Sequence, residues 1–424
     1  MLKRTSIVTQ ALLIAVAVWI WQVGRPEWKH FNLAMSNVQT SIPTPGYYFA
    51  GDANRTCEVI TRPDPSGIRH CEDGVHIADK KLLITCDPGR LVWNPIMGVM
   101  ADPSQNGAFW IYDYGNEDYL RPVELVGFPA GRTFHPLGLD VLPATVSEPA
   151  YVFTANLDAM ASVVDIFTVS DKAPYKAFYK RTLSHPFIHA PNSLVAISPT
   201  QLYISVDHRF TPRMPKWTTK LALLENAFQA PFGWIAYVEI LPNGRVKYRK
   251  AANFINFANG LVLSRDGKEL VVASSVACAI RFYDRDPATN KLRFREKIPA
   301  PFPPDNLRHD LEGNIIVAGH PHVPQLWEAI YGTRSYAPSW IGQISRRKPL
   351  LNGTILAPDD QAAPFIKASD RIPQHPKYEF TTLYYSDGSQ YSCSSTGILD
   401  GAELIGMSLM GPGILHCKPA LRDK

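Results

Sequence analysis

Short apolar runs separated by polar turns recur along most of the chain, and the clearest set lies between Phe257 and Asp286. There Asn259-Gly260 leads the apolar run Leu261-Val262-Leu263, Arg265-Asp266-Gly267-Lys268 supplies a tight hairpin turn, and Glu269 to Ser274 carries a second, β-branched run. A third strand is expected from Ala279 to Tyr283. Three short strands joined by tight turns cannot bury their faces alone, so similar units must lie beside them.

Five further units show the same order of leading pair, strand, polar turn and strand. They open at Glu72-Asp73, Leu137-Gly138, Asn192-Ser193, Asp305-Asn306 and Ser395-Thr396. Six such hairpins without interleaved long helices predict an all-β chain folded as a β-propeller. The 424 residues suffice for one large ring. Division by six gives units longer than the usual repeat of about 40 to 45 residues, so period alone leaves the blade number open. One segment breaks the pattern: Trp217 to Phe228 is helical by propensity, has apolar residues at 221, 223, 224 and 228, and is bracketed by Pro215 and Pro231. It reads equally as a helix packed on a blade or as a lid over the channel mouth.

Placed in phase, the leading residues are Glu72, Leu137, Asn192, Asn259, Asp305 and Ser395. Rotation about a propeller axis relates such positions, so their side chains should converge near one end of the channel, with Asp73 and Asn306 beside them. Carboxylates crowded there repel one another and are costly to bury uncompensated, whereas hard oxygen donors in this number suit Ca²⁺. Any one of these pairs is an ordinary turn former; their shared phase is what points to a metal.

These segments, together with Val206-Asp207-His208-Arg209-Phe210, Phe257-Ala258-Asn259-Gly260, Ser264-Arg265-Asp266-Gly267-Lys268 and Gly319-His320-Pro321, resemble the serum paraoxonase/arylesterase family. The resemblance runs from about Thr56 to Lys418, with the motifs in the family's order and at compatible spacing. It implies a six-bladed, calcium-dependent propeller that hydrolyses lactones and aryl esters. It also implies a catalytic-type calcium held by Glu72, Asn192, Asn259, Asp305 and Asn306. The family's second, structural calcium uses an acidic pair, of which Asp73 remains while Ser193 stands at the other position. The family's two proposed catalytic histidines fall at Leu137 and Leu157, so a general base has to come from elsewhere. His135, His208, His320 and Glu72 are the candidates, each of which also reads as a structural histidine or a ligand. No Gly-x-Ser-x-Gly elbow and no zinc-protease helix motif competes with attack by water assisted by a metal.

Six cysteines are too few for a disulfide scaffold but enough for staples in an oxidising compartment. Cys57 precedes the first unit and Cys417 ends the last, where a bridge would close the ring, and the resemblance implies that bridge. Cys278 reads as a small buried hydrophobe; Cys71, Cys86 and Cys393 remain open as to pairing. At the N-terminus, Lys3 and Arg4 precede the apolar stretch from Ile7 to Val23, and no small-x-small cleavage site follows it. The expectation is a transmembrane signal anchor with its tail over residues 1–30, a linker over 31–55 and the propeller over 56–424 on the lumenal side, with cleaved secretion as the alternative. Asn54-Arg55-Thr56 and Asn352-Gly353-Thr354 would then be glycosylation acceptors. Thirty-six prolines and 19% charged residues suit a loop-rich β protein of the secretory pathway. A net charge of +5 without long basic runs argues against a nucleic-acid partner. Two functions follow: a membrane-anchored calcium-dependent hydrolase of small aryl esters or lactones, or a propeller that kept its metal, lost catalysis and serves as a binding or scaffold module. The sequence leaves the oligomeric state open.

Overall fold

In the strand Ile315–Gly319, Ile315 and Val317 turn to one side and Ile316 and Ala318 to the other, and all four are buried. Such strands, apolar on both faces, need a packed neighbour on each side, and a closed ring of sheets supplies one everywhere. The protein was described from a computed structural model, covering residues 47–49, 57–62, 68–116, 119–170, 172–215, 220–222, 224–225, 228, 230–347 and 375–418.

It is a six-bladed β-propeller. The first blade pairs Cys71–Ala78, Lys81–Cys86, Ala108–Asp113 and Tyr119–Pro122 in order. The second runs Pro136–Leu142, Ala150–Asn156, Val163–Val169 and Lys176–Leu183, with Glu124–Val126 added in parallel at its outer edge. Pro191–Ser198 to Val246–Ile255 form the third and Ala258–Leu263 to Lys291–Pro299 the fourth. The fifth starts at Pro304–His309 and takes Tyr47–Phe49 as its outermost strand. The sixth contains Ser394–Asp400, Glu403–Ser408 and Ile414–Cys417, and its outer strand is Cys57–Ile60 from the other end of the chain. Every hairpin expected from the sequence is the inner hairpin of a blade.

Six apolar clusters each straddle one blade interface and so fill the ring all the way round. Between the first and second blades, for instance, Phe109 sits edge-on to Phe134 and Phe167. Between the fourth and fifth, Phe282 and Phe302 pack with Trp340 and Tyr385. The ring is locked where the chain ends meet: Cys57 lies opposite Cys417 in the ladder and the two are disulfide-bonded. A second bridge, Cys71–Cys86, joins directly opposed residues of the first hairpin. Cys278 and Cys393 are buried thiols.

Residues 220–222 and 224–225 are helical, in the segment read as a helix, while Trp217 and Leu223 lie outside the described residues. Of the apolar stripe, Leu221 is half-buried. Leu224 and Phe228 are 47% and 36% exposed, whereas Ala222 and Glu225 are buried, the carboxylate of Glu225 accepting from the backbone N–H groups of Arg209 and Phe210. A second helix, Val323–Ile330, was not anticipated; Pro324 opens it and the backbone N–H of Gln325 donates to the His322 ring that caps it. Histidine is not among the usual capping residues, which hid this start. Among the described residues no helix is long and apolar enough to cross a membrane. The apolar stretch from Ile7 to Val23 and both sequons, Asn54 and Asn352, lie outside the described residues.

Cross-linking residues 360 apart restricts the unfolded chain strongly. Cys417→Ser should therefore cost about 4 to 5 kcal/mol of stability, the upper end of the usual range, and denaturant midpoints under oxidising conditions measure it. An unchanged midpoint would mean that the strand pairing closes the ring unaided.

Candidate functional site at one end of the channel

The inner hairpin of every blade breaks register at the same place. Pairing shifts between Cys71 and Asp73, Pro136 and Leu139, Pro191 and Leu194, Ala258 and Leu261, Pro304 and Leu307, and Ser394 and Thr396. Each irregularity falls on a leading residue: Glu72, Leu137, Asn192, Asn259, Asp305 or Ser395. A bulge frees a residue from the ladder and re-aims its side chain, so six bulges in phase point six side chains inward. The glycines of the leading pairs answer a second demand. A Cβ on Gly260 would stand 2.6 Å from both Asn306 Cα and the Asp305 carbonyl oxygen, and one on Gly138 would stand 2.5 Å from the Asn192 oxygen. They are required by close approach of neighbouring strands rather than by a turn.

Glu72, Asn192, Asn259, Asp305 and Asn306 are all buried. The amide nitrogens of the three asparagines are engaged: Asn306 Nδ2 donates to Glu72 Oε1 (2.6 Å), Asn192 Nδ2 to Asp207 Oδ2 (3.2 Å) and Asn259 Nδ2 to Ser275 Oγ (3.0 Å). Ser275 in turn donates to the Pro304 carbonyl, 2.6 Å away. What remains is a set of oxygens: Glu72 Oε2, Asn192 Oδ1, Asn259 Oδ1 and Asn306 Oδ1 are buried with no partner. Native proteins rarely leave such atoms unsatisfied, and several of them around one cavity are donors of the kind that could hold a hard cation. Among the described residues no three His, Cys, Asp or Glu side chains are grouped to hold a metal; this set has two carboxylates and depends on amides.

Burial, then the neighbouring Asp73 and Asp305 carboxylates, push Glu72 well above the usual carboxylate range. The Arg90 guanidinium acts against this. Arg90 is almost fully buried, donates from Nη2 to the Pro136 carbonyl (2.8 Å) and has two further N–H groups, at Nε and Nη1, without partners. Sequence reasoning missed it, since a single arginine in a Pro-Gly-Arg turn carries no signal.

Glu72, Asn192, Asn259, Asp305 and His320 line one cavity of about 310 Å³. The rest of its wall is largely apolar, including Ile96, Met97, Leu137, Leu326 and Trp327. The unanticipated helix therefore forms a wall, whereas none of the described residues between 217 and 228 does. Leu137 and Leu157, where the resemblance would set two histidines, pack together with Ala155 and against Ile96.

The candidate bases separate clearly. His320 is in the cavity wall; its Nε2 donates to Asp305 Oδ2 (2.9 Å), and its Nδ1 has no partner. His208 donates from Nδ1 to Asp207 Oδ1 (2.9 Å) and lies edge-on to Phe257, so it supports the carboxylate that orients Asn192. His135 is not in the site. It precedes the strand Pro136–Leu142 and turns to the neighbouring loop, with Nδ1 facing Asp87 Oδ2 (3.1 Å) and Nε2 facing the Pro103 carbonyl (3.0 Å). Asp73, too, lies apart from the cavity wall, held by Arg308.

Fold and site together define a six-bladed propeller with a buried oxygen cluster at the floor of an apolar pocket. The Arylesterase family model matches residues 91–350, more than half of the chain, and the chain belongs to that family. The matched stretch contains Asn192, Asn259, Asp305 and Asn306; Glu72 precedes it. The chain is 25% identical to serum paraoxonase/arylesterase 1 of Mus musculus over 187 residues, 43% of this chain and 49% of that protein. It is 24% identical to serum paraoxonase/arylesterase 2 of Bos taurus over 278 residues, 62% of this chain and 73% of that one. The match thus spans about half the length of the mouse relative. Among solved structures, a luciferin-regenerating enzyme aligns at a TM-score of 0.46 and 13% identity, over 87% of this chain and 96% of its own.

His135→Leu should lower stability by about 1 to 3 kcal/mol, because it leaves the buried Asp87 carboxylate short of a donor. Cation binding and any hydrolysis should be unchanged. Loss of binding at unaltered stability would return His135 to the site.

Proposed function

We propose that this chain is a calcium-dependent hydrolase of small aryl esters or lactones, working in the cavity where the leading residues meet. The observation that carries the reading is the convergence of partnerless buried oxygens from separate blades on an open, largely apolar pocket; a purely structural ion would need no such pocket. Family membership supports the class of reaction, as do the names arylesterase and lactonase carried by curated relatives. A calcium ion held by Glu72, Asn192, Asn259, Asp305 and Asn306 would polarise the ester carbonyl and offset the negative charge that develops on its oxygen. The apolar wall, with Leu137, Ile96 and Trp327, would seat the acyl or aryl part and exclude bulk water. His320 is the base best supported: its Nε2–H is spent on Asp305, which leaves the lone pair of Nδ1 to take the proton of the attacking water.

One observation favours the alternative of a non-catalytic binding module. Leu137 and Leu157 share an apolar cluster where the family resemblance would set a histidine pair. A screen of aryl acetates and lactones with and without chelator separates the two readings. Hydrolysis abolished by chelation supports the enzyme; no turnover on any substrate, with calcium still bound, supports the module.

The same reading includes a membrane anchor at residues 1–30 with the propeller on the lumenal side, supported by Lys3 and Arg4 ahead of the apolar run and by the sequons at Asn54 and Asn352. Mass spectrometry of the mature N-terminus and glycosidase digestion test it; a chain beginning beyond Val23 would make it secreted instead.

Asn259→Ala deletes a neutral donor without stranding a charge, so it should weaken calcium binding and abolish hydrolysis with little unfolding. Glu72→Ala should do more damage. His320→Gln should keep calcium affinity within a few-fold and reduce kcat by about 10² to 10⁴. Activity that survives complete calcium removal would overturn the mechanism.

A further inference from the structure

One step along the inner strands from the oxygen cluster, the axis carries a different arrangement. The Asp73 carboxylate is buried and saturated: Oδ1 accepts from the Gly74 N–H (2.9 Å), Thr396 Oγ1 (2.9 Å) and Arg308 Nη2 (2.6 Å), and Oδ2 from the Leu139 N–H (3.0 Å). Arg308 spends its other donors on carbonyls. Its Nε donates to Gly74 O (2.9 Å), Nη1 to Leu307 O (3.0 Å) and Nη2 also to Leu139 O (3.3 Å). One guanidinium therefore gathers oxygens from the first, second and fifth blades, and Thr396 of the sixth joins through Asp73. Carboxylate and carbonyl oxygens converging from separate strands are the cage a hard cation would take; here the fork of a planar cation fills it.

The charges agree with this. Asp73 follows Glu72 in the first blade, and the equivalent position in the third blade, after Asn192, is Ser193. Its hydroxyl receives the Leu261 N–H (3.4 Å) and brings no charge. The Asp73 carboxylate is paired with the Arg308 guanidinium, which also acts on the nearby Asp140, itself held by the Ala196 N–H, whereas the acidic pair expected from the resemblance would call for a dication. The residues present do not fit a second metal.

We infer that Arg308 stands where a second metal ion would otherwise sit, so that the channel takes one divalent cation and the junction below it is closed by the chain's own charge. The count of one rests on the calcium reading given above; the role of Arg308 does not. In consequence, chelation should empty the oxygen cluster without loosening the inner strands at Asp73.

The full chain, stripped of metal, would be titrated with calcium by calorimetry and melted in chelator, beside Arg308→Met and the pair Arg308→Met with Ser193→Asp. The wild type should take one ion, and the double variant, which restores an acidic pair around an empty cage, should take one more than the wild type. Arg308→Met alone should melt earlier in chelator, and adding Asp73→Asn should recover part of the loss by removing the stranded charge. A wild type that takes two ions overturns the inference, as does a double variant that gains none or an Arg308→Met chain that melts with the wild type. A wild type that takes none would sink the calcium reading, while the gain of an ion by the double variant would still decide the role of Arg308. Should the variants fail to fold, the wild-type count of one or two decides alone.

Discussion

Three carboxylates, Glu72, Asp73 and Asp305, are buried where the inner strands of a closed ring meet, and something must balance them. Desolvation and mutual repulsion would otherwise make each a cost of several kcal/mol. The ring offers no escape by relaxation, since each inner strand is fixed by a packed interface on both sides. The rest of the axial chemistry is a set of answers to this demand. Arg308 neutralises Asp73 directly, Arg90 lies within electrostatic reach of Glu72, and His320 donates to Asp305. Four oxygens are still left over. Among the described residues no side chain partners these oxygens, and the calcium proposed above would answer that demand.

That demand exists only because the ring is closed. Twelve faces of six sheets are buried in pairs, and the last pair forms only when Cys57–Ile60 returns to complete the sixth blade. Closure brings Glu72 of the first blade within hydrogen-bonding distance of Asn306, 234 residues away. The oxygen cluster is thus a product of the topology as much as of its residues, and the disulfide at the seam ties the strand that completes the ring.

The fold was legible because buried propeller strands carry a strong local signal. Runs such as Leu270-Val271-Val272-Ala273 between a tight turn and a following strand read correctly without tertiary information. The oxygen cluster was legible for a different reason: its residues share one phase of a repeat, and rotation converts phase into proximity. Arg308 was not legible, since its partners are backbone carbonyls on other blades, and no sequence pattern announces a carbonyl. The Cys71–Cys86 bridge was missed because its pairing depends on a register that shifts at Asp73. The segment from Trp217 to Phe228 was half right; its apolar stripe suggested a buried face, but the buried polar group is Glu225, recruited by the backbone of Arg209 and Phe210.

The apolar contact between Leu137 and Leu157 bears most directly on the chemistry. Two leucines clustered beside Ile96 cannot move protons, and Leu137 presents an apolar surface to the pocket. A neutral, drier wall strengthens whatever charges remain inside, because screening by water falls as polar surface is lost. The remaining titratable groups in the wall are Glu72, Asp305 and His320; Glu72 Oε2 and His320 Nδ1 are both uncommitted, and on the proposed reading Glu72 would be spent on the cation. Asp305 would then have two duties, to hold the cation through one oxygen and to orient the imidazole through the other. On the proposed mechanism, the attacking water would stand between Nδ1 of His320 and the carbonyl carbon of an ester whose oxygen faces the cluster. On the proposed reading, the position of the base would be set by the cation site, through Asp305, rather than by a pair of histidines on the second blade.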